Sequence, residues 1–277
     1  MFFGTPFVGE ETLNINESAP RRSTRSGVKR VVVQPFAGRA KGPVDADKLQ
    51  AVLDALPDPD AMRAIEIEPG SRLTKVPDLT RFAYVEYAHI YAKTVRNYTA
   101  LHELRRLKSL LLVSYKKPDL ADFRSLRLHR FGCVQGELQT VQLQTREAHL
   151  QRCGHLRDLS GSRISHLRLD HCHEVELEKV CNIVGLKHLE ISGMKGGTDL
   201  SWVARCESLR FLAFYDTRGI DLDVSGLAST TLRKVLLPVE DDDAAEASRL
   251  VPGAAVSNGA RWFRGGKPGR GRDPLGY

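Results

Sequence analysis

Apolar residues recur along the chain at one spacing. In the stretch ISHLRLDHC, Ile164 to Cys172, they take the first, fourth and sixth positions, and LKHLEISGM and LRFLAFYDT repeat the arrangement further on. Written as L-x-x-L-x-L, the pattern fits Met62, Ile65, Ile67; Phe82, Val85, Tyr87; Leu107, Leu110, Leu112; Phe123, Leu126, Leu128; and Leu138, Val141, Leu143. It continues through Ile164, Leu167, Leu169; Leu186, Leu189, Ile191; Leu209, Leu212, Phe214; and Leu232, Val235, Leu237, with a tenth copy at Val251, Ala254, Val256. First positions are separated by 20, 25, 16, 15, 26, 22, 23, 23 and 19 residues. Self-similarity at steps of this length is the mark of a repeat array.

Successive side chains of a strand face opposite ways, so the apolar fourth and sixth positions predict a core face and the third, fifth and seventh an opposite, outward face. Parallel stacking turns those outward positions into columns. They read as an acidic start (Glu66, Glu68, Glu86), a polar to basic middle (Arg127, His129, Gln142, Gln144, His166, Arg168, Asp170, His188, Glu190) and an aromatic end (Phe211, Tyr215). Arginines and aromatics beside polar groups favour an interface. The competing reading is a solvated face on which Arg168 and Glu190 pair across neighbouring strands.

The pattern resembles the leucine-rich-repeat superfamily over residues 62–258, with Cys172 at the ninth position, where the family places Asn or Cys. Other copies put Thr217, Tyr115, Phe131, Arg146, Met194 or Glu240 there. The resemblance implies an α/β solenoid with a concave parallel sheet of about nine to ten strands, short helices or turns on the convex side, and use as a protein-binding surface.

Around the repeats, residues 1–45 are expected to form a basic arm containing Gly, Pro, Ser and Arg, whose Val31–Val33 run could pair with a sheet edge. Residues 46–61 carry Leu49, Val52, Leu53 and Leu56 at helical spacing, with Asp45 or Asp47 to cap the start and Pro57 past the end. Such an amphipathic helix shields the first strand of an array. Residues 62–259 are the repeat region, and 260–277 a basic Gly/Arg-rich tail too poor in apolar residues to fold alone. Between strands, LEKVCNIVGL and LSWVARCESL superpose and predict short helices or 3₁₀ turns. TALHELRRL has room for a full helix, and VEDDDAAEASRLV predicts a helix after the last strand.

The net charge of +7 is confined to the ends: residues 1–45 contribute +3, residues 260–277 contribute +4, and the rest is neutral. This makes nucleic-acid binding through the basic ends, with RWFRGGKPGRGR resembling an RGG segment, the alternative to a protein partner. No run of about 18 apolar residues predicts a membrane span, and the start lacks a basic segment followed by an apolar core, so no secretion signal is expected. Five scattered cysteines (Cys133, Cys153, Cys172, Cys181, Cys206) without a C-x-x-C pair argue for reduced, buried thiols and a cytoplasmic location. All but Cys172 fall in apolar return segments on this reading. DHCHE with His166 and His188 raises zinc, but the strand pattern sends Asp170 and Cys172 to opposite faces, so no metal is expected. No phosphate loop or G-x-S-x-G elbow is present, and neither catalytic residues nor a cofactor is expected.

Overall fold

The structure, a computed structural model, describes residues 12–15, 28–33, 46–68, 73–194, 198–216, 222–228 and 230–269. Most of the N-terminal arm, Asp45 and the end of the tail lie outside the described residues. The protein is α/β, with many strands, mostly parallel, and few helices. It divides into two compact units, Met1–Lys116 with Ser125–Gly136, and Lys117–Arg124 with Glu137–Tyr277.

In the first unit β1 (Thr12–Ile15), β2 (Arg30–Val33), β3 (Ala64–Ile67), β4 (Tyr87–Tyr91), β5 (Ser109–Val113) and β6 (Arg127–Val134) pair in chain order, all parallel. The Val31–Val33 run thus does pair with its neighbours. Val31, Ile65, Ala88, Leu110 and Phe131 form one inward row, and Val33, Ile67, Ile90, Leu112 and Cys133 the next, all buried. Helix α1 (Ala46–Asp54) buries Leu49, Val52 and Leu53, with Leu56 just beyond it. The segment TALHELRRL forms only a 3₁₀ turn, Thr99–Glu103, and no full helix, with Leu101 and Leu104 turned inward.

In the second unit the parallel ladder runs through β7 (Gln144–Gln151), β8 (Arg163–Asp170), β9 (His188–Ser192), β11 (Phe211–Tyr215), β13 (Lys234–Leu236) and β14 (Ala255–Ser257). Two-residue strands β10 (Thr198–Asp199) and β12 (Leu222–Asp223) pair separately in the return layer. Its 3₁₀ turns at Leu177–Asn182 and Ser201–Arg205 fall where LEKVCNIVGL and LSWVARCESL predict them. Helix α2 (Asp241–Leu250) has three aspartates in its first turn, favourable at the positive end of the helix dipole. The tail's first part does fold: β15 (Trp262–Arg264) and β16 (Lys267–Pro268) form an antiparallel hairpin on β14. Phe263 is buried there, and Gly266 N–H donates to Ser248 Oγ of α2 at 2.7 Å.

The ladder moves three triplets predicted from sequence. The inward residues are Val85, Ala88, Ile90 instead of Phe82, Val85, Tyr87; Leu128, Phe131, Cys133 instead of Phe123, Leu126, Leu128; and Thr145, Ala148, Leu150 instead of Leu138, Val141, Leu143. In the tenth copy Val256, not Ala254, stands beside Val235. Ala, Thr and Cys hold these ladder positions, while stronger apolar residues of the preceding return segment mimic the spacing. Corrected fourth positions follow at 23, 22 and 21 residues in the first unit (Ile65 to Phe131) and at 19, 22, 23, 23 and 21 in the second (Ala148 to Val256).

Two cysteine expectations also change. Cys181 and Cys206 form a disulfide, with Cα atoms 4.6 Å apart, that joins two successive return segments. The pairing removes the argument for a cytoplasmic location from reduced thiols. Cys133 lies in β6 and Cys153 in the turn after β7; like Cys172, both are buried thiols outside any disulfide. No helix among the described residues is long and apolar enough to cross a membrane.

Candidate interaction face

Each strand of the second unit that enters the face ends on a left-handed residue: Arg152, His171, Gly193 and Asp216 after β7, β8, β9 and β11. Three of the four, Arg152, His171 and Asp216, are not glycine, so those three turns carry some backbone strain. The turn drives the next residue inward, and this buries Cys153 and Cys172 as equivalents. Their thiols face backbone carbonyls, Cys153 Sγ to Gln151 O at 3.5 Å and Cys172 Sγ to Leu150 O at 3.2 Å. The side-chain hydrogen bond with Cys153, and then burial, push the Cys172 thiol well above its ordinary range.

With the turns fixed, the outward columns are Glu147, His166, His188, Phe211; then His149, Arg168, Glu190, Ala213; then Gln151, Asp170, Ser192, Tyr215. The first column is a ring stack. His166 and His188 lie 5.1 Å apart, and His188 stacks on Phe211 at 3.9 Å with an interplanar angle of 16°. In the second, Arg168 reaches Glu190 at 3.6 Å and His188 Nε2 contacts Glu190 Oε1 at 2.8 Å. The hydrogen bond from His188 holds the Glu190 carboxyl below its usual range despite burial, and the charges of His188 and Arg168 add to it.

Asp170 is the hub of the third column. Burial works to raise its pKa, but hydrogen bonds from His171 Nδ1 (2.6 Å) and Ser192 Oγ (3.1 Å), with the His171 and Arg168 charges, bring it below the ordinary value. Gln151 Nε2 donates to its other oxygen at 3.0 Å. Burial pushes the pKa of His149 down, with the Arg168 charge adding to the effect and Asp170 opposing it. Burial and the His188 charge do the same to His166. Among the described residues no three His, Cys, Asp or Glu side chains converge on a point.

The face therefore gathers His166, Arg168, Asp170, His188, Glu190, Phe211 and Tyr215 on neighbouring strands. The other four predicted residues do not join its columns. Arg127 and His129 are exposed in the first unit, at the start of β6, ahead of the residue Arg130 that pairs with Ser109. Gln142 lies before β7 and takes a contact from Arg124 at 3.4 Å, and Gln144 pairs with Arg163 at the strand's beginning. In their place stand Glu147, His149 and Gln151, which the shifted register hid. A second repeat signal could have located them. Asp158-Leu159-Ser160, Asp199-Leu200-Ser201 and Asp223-Val224-Ser225 are each an acid whose carboxylate accepts the N–H two residues on, followed by a buried apolar residue.

In the first unit the outward columns differ. Arg30 holds Glu66 with two bonds, at 2.9 and 2.6 Å, and Glu86 pairs with Lys108 at 2.8 Å. Beyond them the face is Tyr87, His89, Tyr91, Leu111, Val113, Gly132 and Val134. No model of a known protein family matches the chain, and no curated protein matches it.

Proposed function

We propose that this chain is a leucine-rich-repeat solenoid that binds a protein partner, without catalysis, on the outward face of β7, β8, β9 and β11, as an adaptor or as an immunity protein that blocks a toxin. The observation that carries the reading is the ring stack His166, His188, Phe211 flanked by Arg168, Glu190 and Tyr215 on adjacent strands. Rigid aromatic and arginine side chains held ready cost little ordering entropy on association and supply the residue types that dominate binding energy. Cys153 and Cys172 at equivalent positions after successive strands support the family reading, because they follow the repeat's ninth-position pattern.

A pull-down from the native cell tests it, comparing the wild-type chain with an Arg168→Glu, Tyr215→Ala variant. The variant removes a face arginine and a face aromatic without touching the interior. A partner retained by wild type is expected to be lost from the variant, by about 2 kcal/mol or more of binding energy. A partner held equally by both would place binding elsewhere.

A further inference from the structure

The strand-start edge of the second unit carries cations that the face does not neutralise. Lys187, Arg210 and Arg233 occupy the same position on successive strands: Arg210 N–H bonds Lys187 O at 2.9 Å, and Arg233 N–H bonds Arg210 O at 2.8 Å. Neighbouring strands lie about 4.8 Å apart, so these side chains leave the sheet as a close row of like charge. Arg210 is turned onto the backbone, donating to Glu207 O at 2.8 Å and Leu209 O at 2.9 Å. Lys187 and Arg233 are exposed, as is Arg163 at the start of β8, and none of the three has an ion-pair partner among the described residues.

On the face side of this row sits the ring stack. His188 shares one face with Phe211 and packs against His166 on the other side, so its outward part is its edge. The edge of an aromatic ring is the positive part of its quadrupole. Binding single-stranded nucleic acid would call for open ring faces on which bases can stack. Carboxylates suit what is presented here: a cationic row, then electropositive ring edges. The face's own acids are already engaged, Glu190 by His188 and Arg168, Asp170 by His171, Ser192 and Gln151, and Glu147 beside Arg146 at 3.9 Å.

We infer that the partner of this face is an acidic polypeptide segment whose carboxylates lie along the strand-start edge, at Lys187 and Arg233 of the row and at Arg163, two residues ahead of Ser165, which holds the row's position in β8. The inference rests on the proposed binding face and names the chemistry of what binds there. Steering by such a row speeds encounter and is weakened by salt.

The full-length chain is titrated with a labelled oligoglutamate peptide and, separately, a single-stranded oligothymidylate of equal charge, across a salt series. Two double variants accompany it, both checked for unchanged melting: Lys187→Glu with Arg233→Glu on the row, and Lys179→Glu with Arg205→Glu, exposed in the return layer of the same unit. The basic ends are common to all three proteins and drop out of the comparison. Expected is a loss of oligoglutamate affinity of about tenfold in the row variant and less than about threefold in the return-layer variant. Equal losses, no loss, or tighter oligothymidylate binding that the row variant abolishes would overturn the inference. A native partner that the Arg168→Glu, Tyr215→Ala variant loses but the row variant keeps would also overturn it, while leaving the face itself as the binding site.

Discussion

The two units have interiors of the same kind and differ on their outward faces. Ile67, Ile90 and Leu112 in the first are the equivalents of Leu169, Ile191 and Phe214 in the second, all in parallel ladders and all buried. Outward, the first unit shows Tyr87, Tyr91, Leu111, Val113 and Val134 with a single His89 and Arg130 among them, and its buried acid Glu66 locked to Arg30. The second shows histidines, acids and arginine in two adjacent clusters, one around Asp170 and one around Glu190. The interior positions are under one packing constraint and repeat, whereas the outward ones are free of it and diverge. Selection for a partner can act only where packing leaves the choice open.

The largest expected effect tests the two interiors. Leu189→Asp in the second unit and Ile90→Asp in the first each bury a charge with no counter-ion, and each is expected to cost about 4 kcal/mol or more. Glu190→Ala, one residue along and outward, is expected to cost about 1 kcal/mol or less. Urea denaturation of the three variants checks it. Similar losses for Leu189→Asp and Glu190→Ala would break the assigned register, and a mild Ile90→Asp would break the equivalence of the units.

How much of this was readable follows the same division. Where strong apolar residues hold the ladder, as at Leu167, Leu189 and Leu212, the spacing alone places every outward side chain. That is why the adjacency of His166 with His188 and the pairing of Arg168 with Glu190 are legible. Where Ala88, Ala148 or Cys133 hold it, larger apolar residues ahead of them fit the pattern better, and the error carries Arg127, His129, Gln142 and Gln144 onto a face they do not share. Nor does sequence separation reveal the Cys181–Cys206 pair. The two thiols are 25 residues apart and meet only because successive return segments stack.

That cross-link sharpens the comparison, since the one cysteine of the first unit, Cys133, forms no disulfide. Titration of the oxidised chain unfolded without reductant is expected to find three thiols of the five, at Cys133, Cys153 and Cys172. Closing a loop of this length stabilises by about 3 kcal/mol in the chain-entropy account. Reduction, or Cys181→Ser, is therefore expected to lower the stability of the second unit by that order and leave the first unchanged. Five reactive thiols would refute the bond.

The smallest effect is a dependence on pH that the two units carry unequally. His149 and His166 in the second unit, and His89 in the first, have pKa values held below the ordinary 6.5, in each case chiefly by burial. The unfolded chain takes up these protons as pH falls below about 6.5, while the folded chain resists until its lower pKa is reached. Protons therefore bind the unfolded state preferentially in this window, and stability falls as pH falls through it. Asp170 and Glu190 are lowered too, but from 3.8 and 4.5, so their contribution stays intact until pH drops below those values and cannot produce a change near pH 6. Stability measured by urea at pH 7.5 and 5.5 is expected to be lower at 5.5, and the difference should shrink more in His149→Gln, His166→Gln than in His89→Gln. A pH difference untouched by the double variant would show that the histidines of the second face are not what titrates, and would erase this distinction between the units.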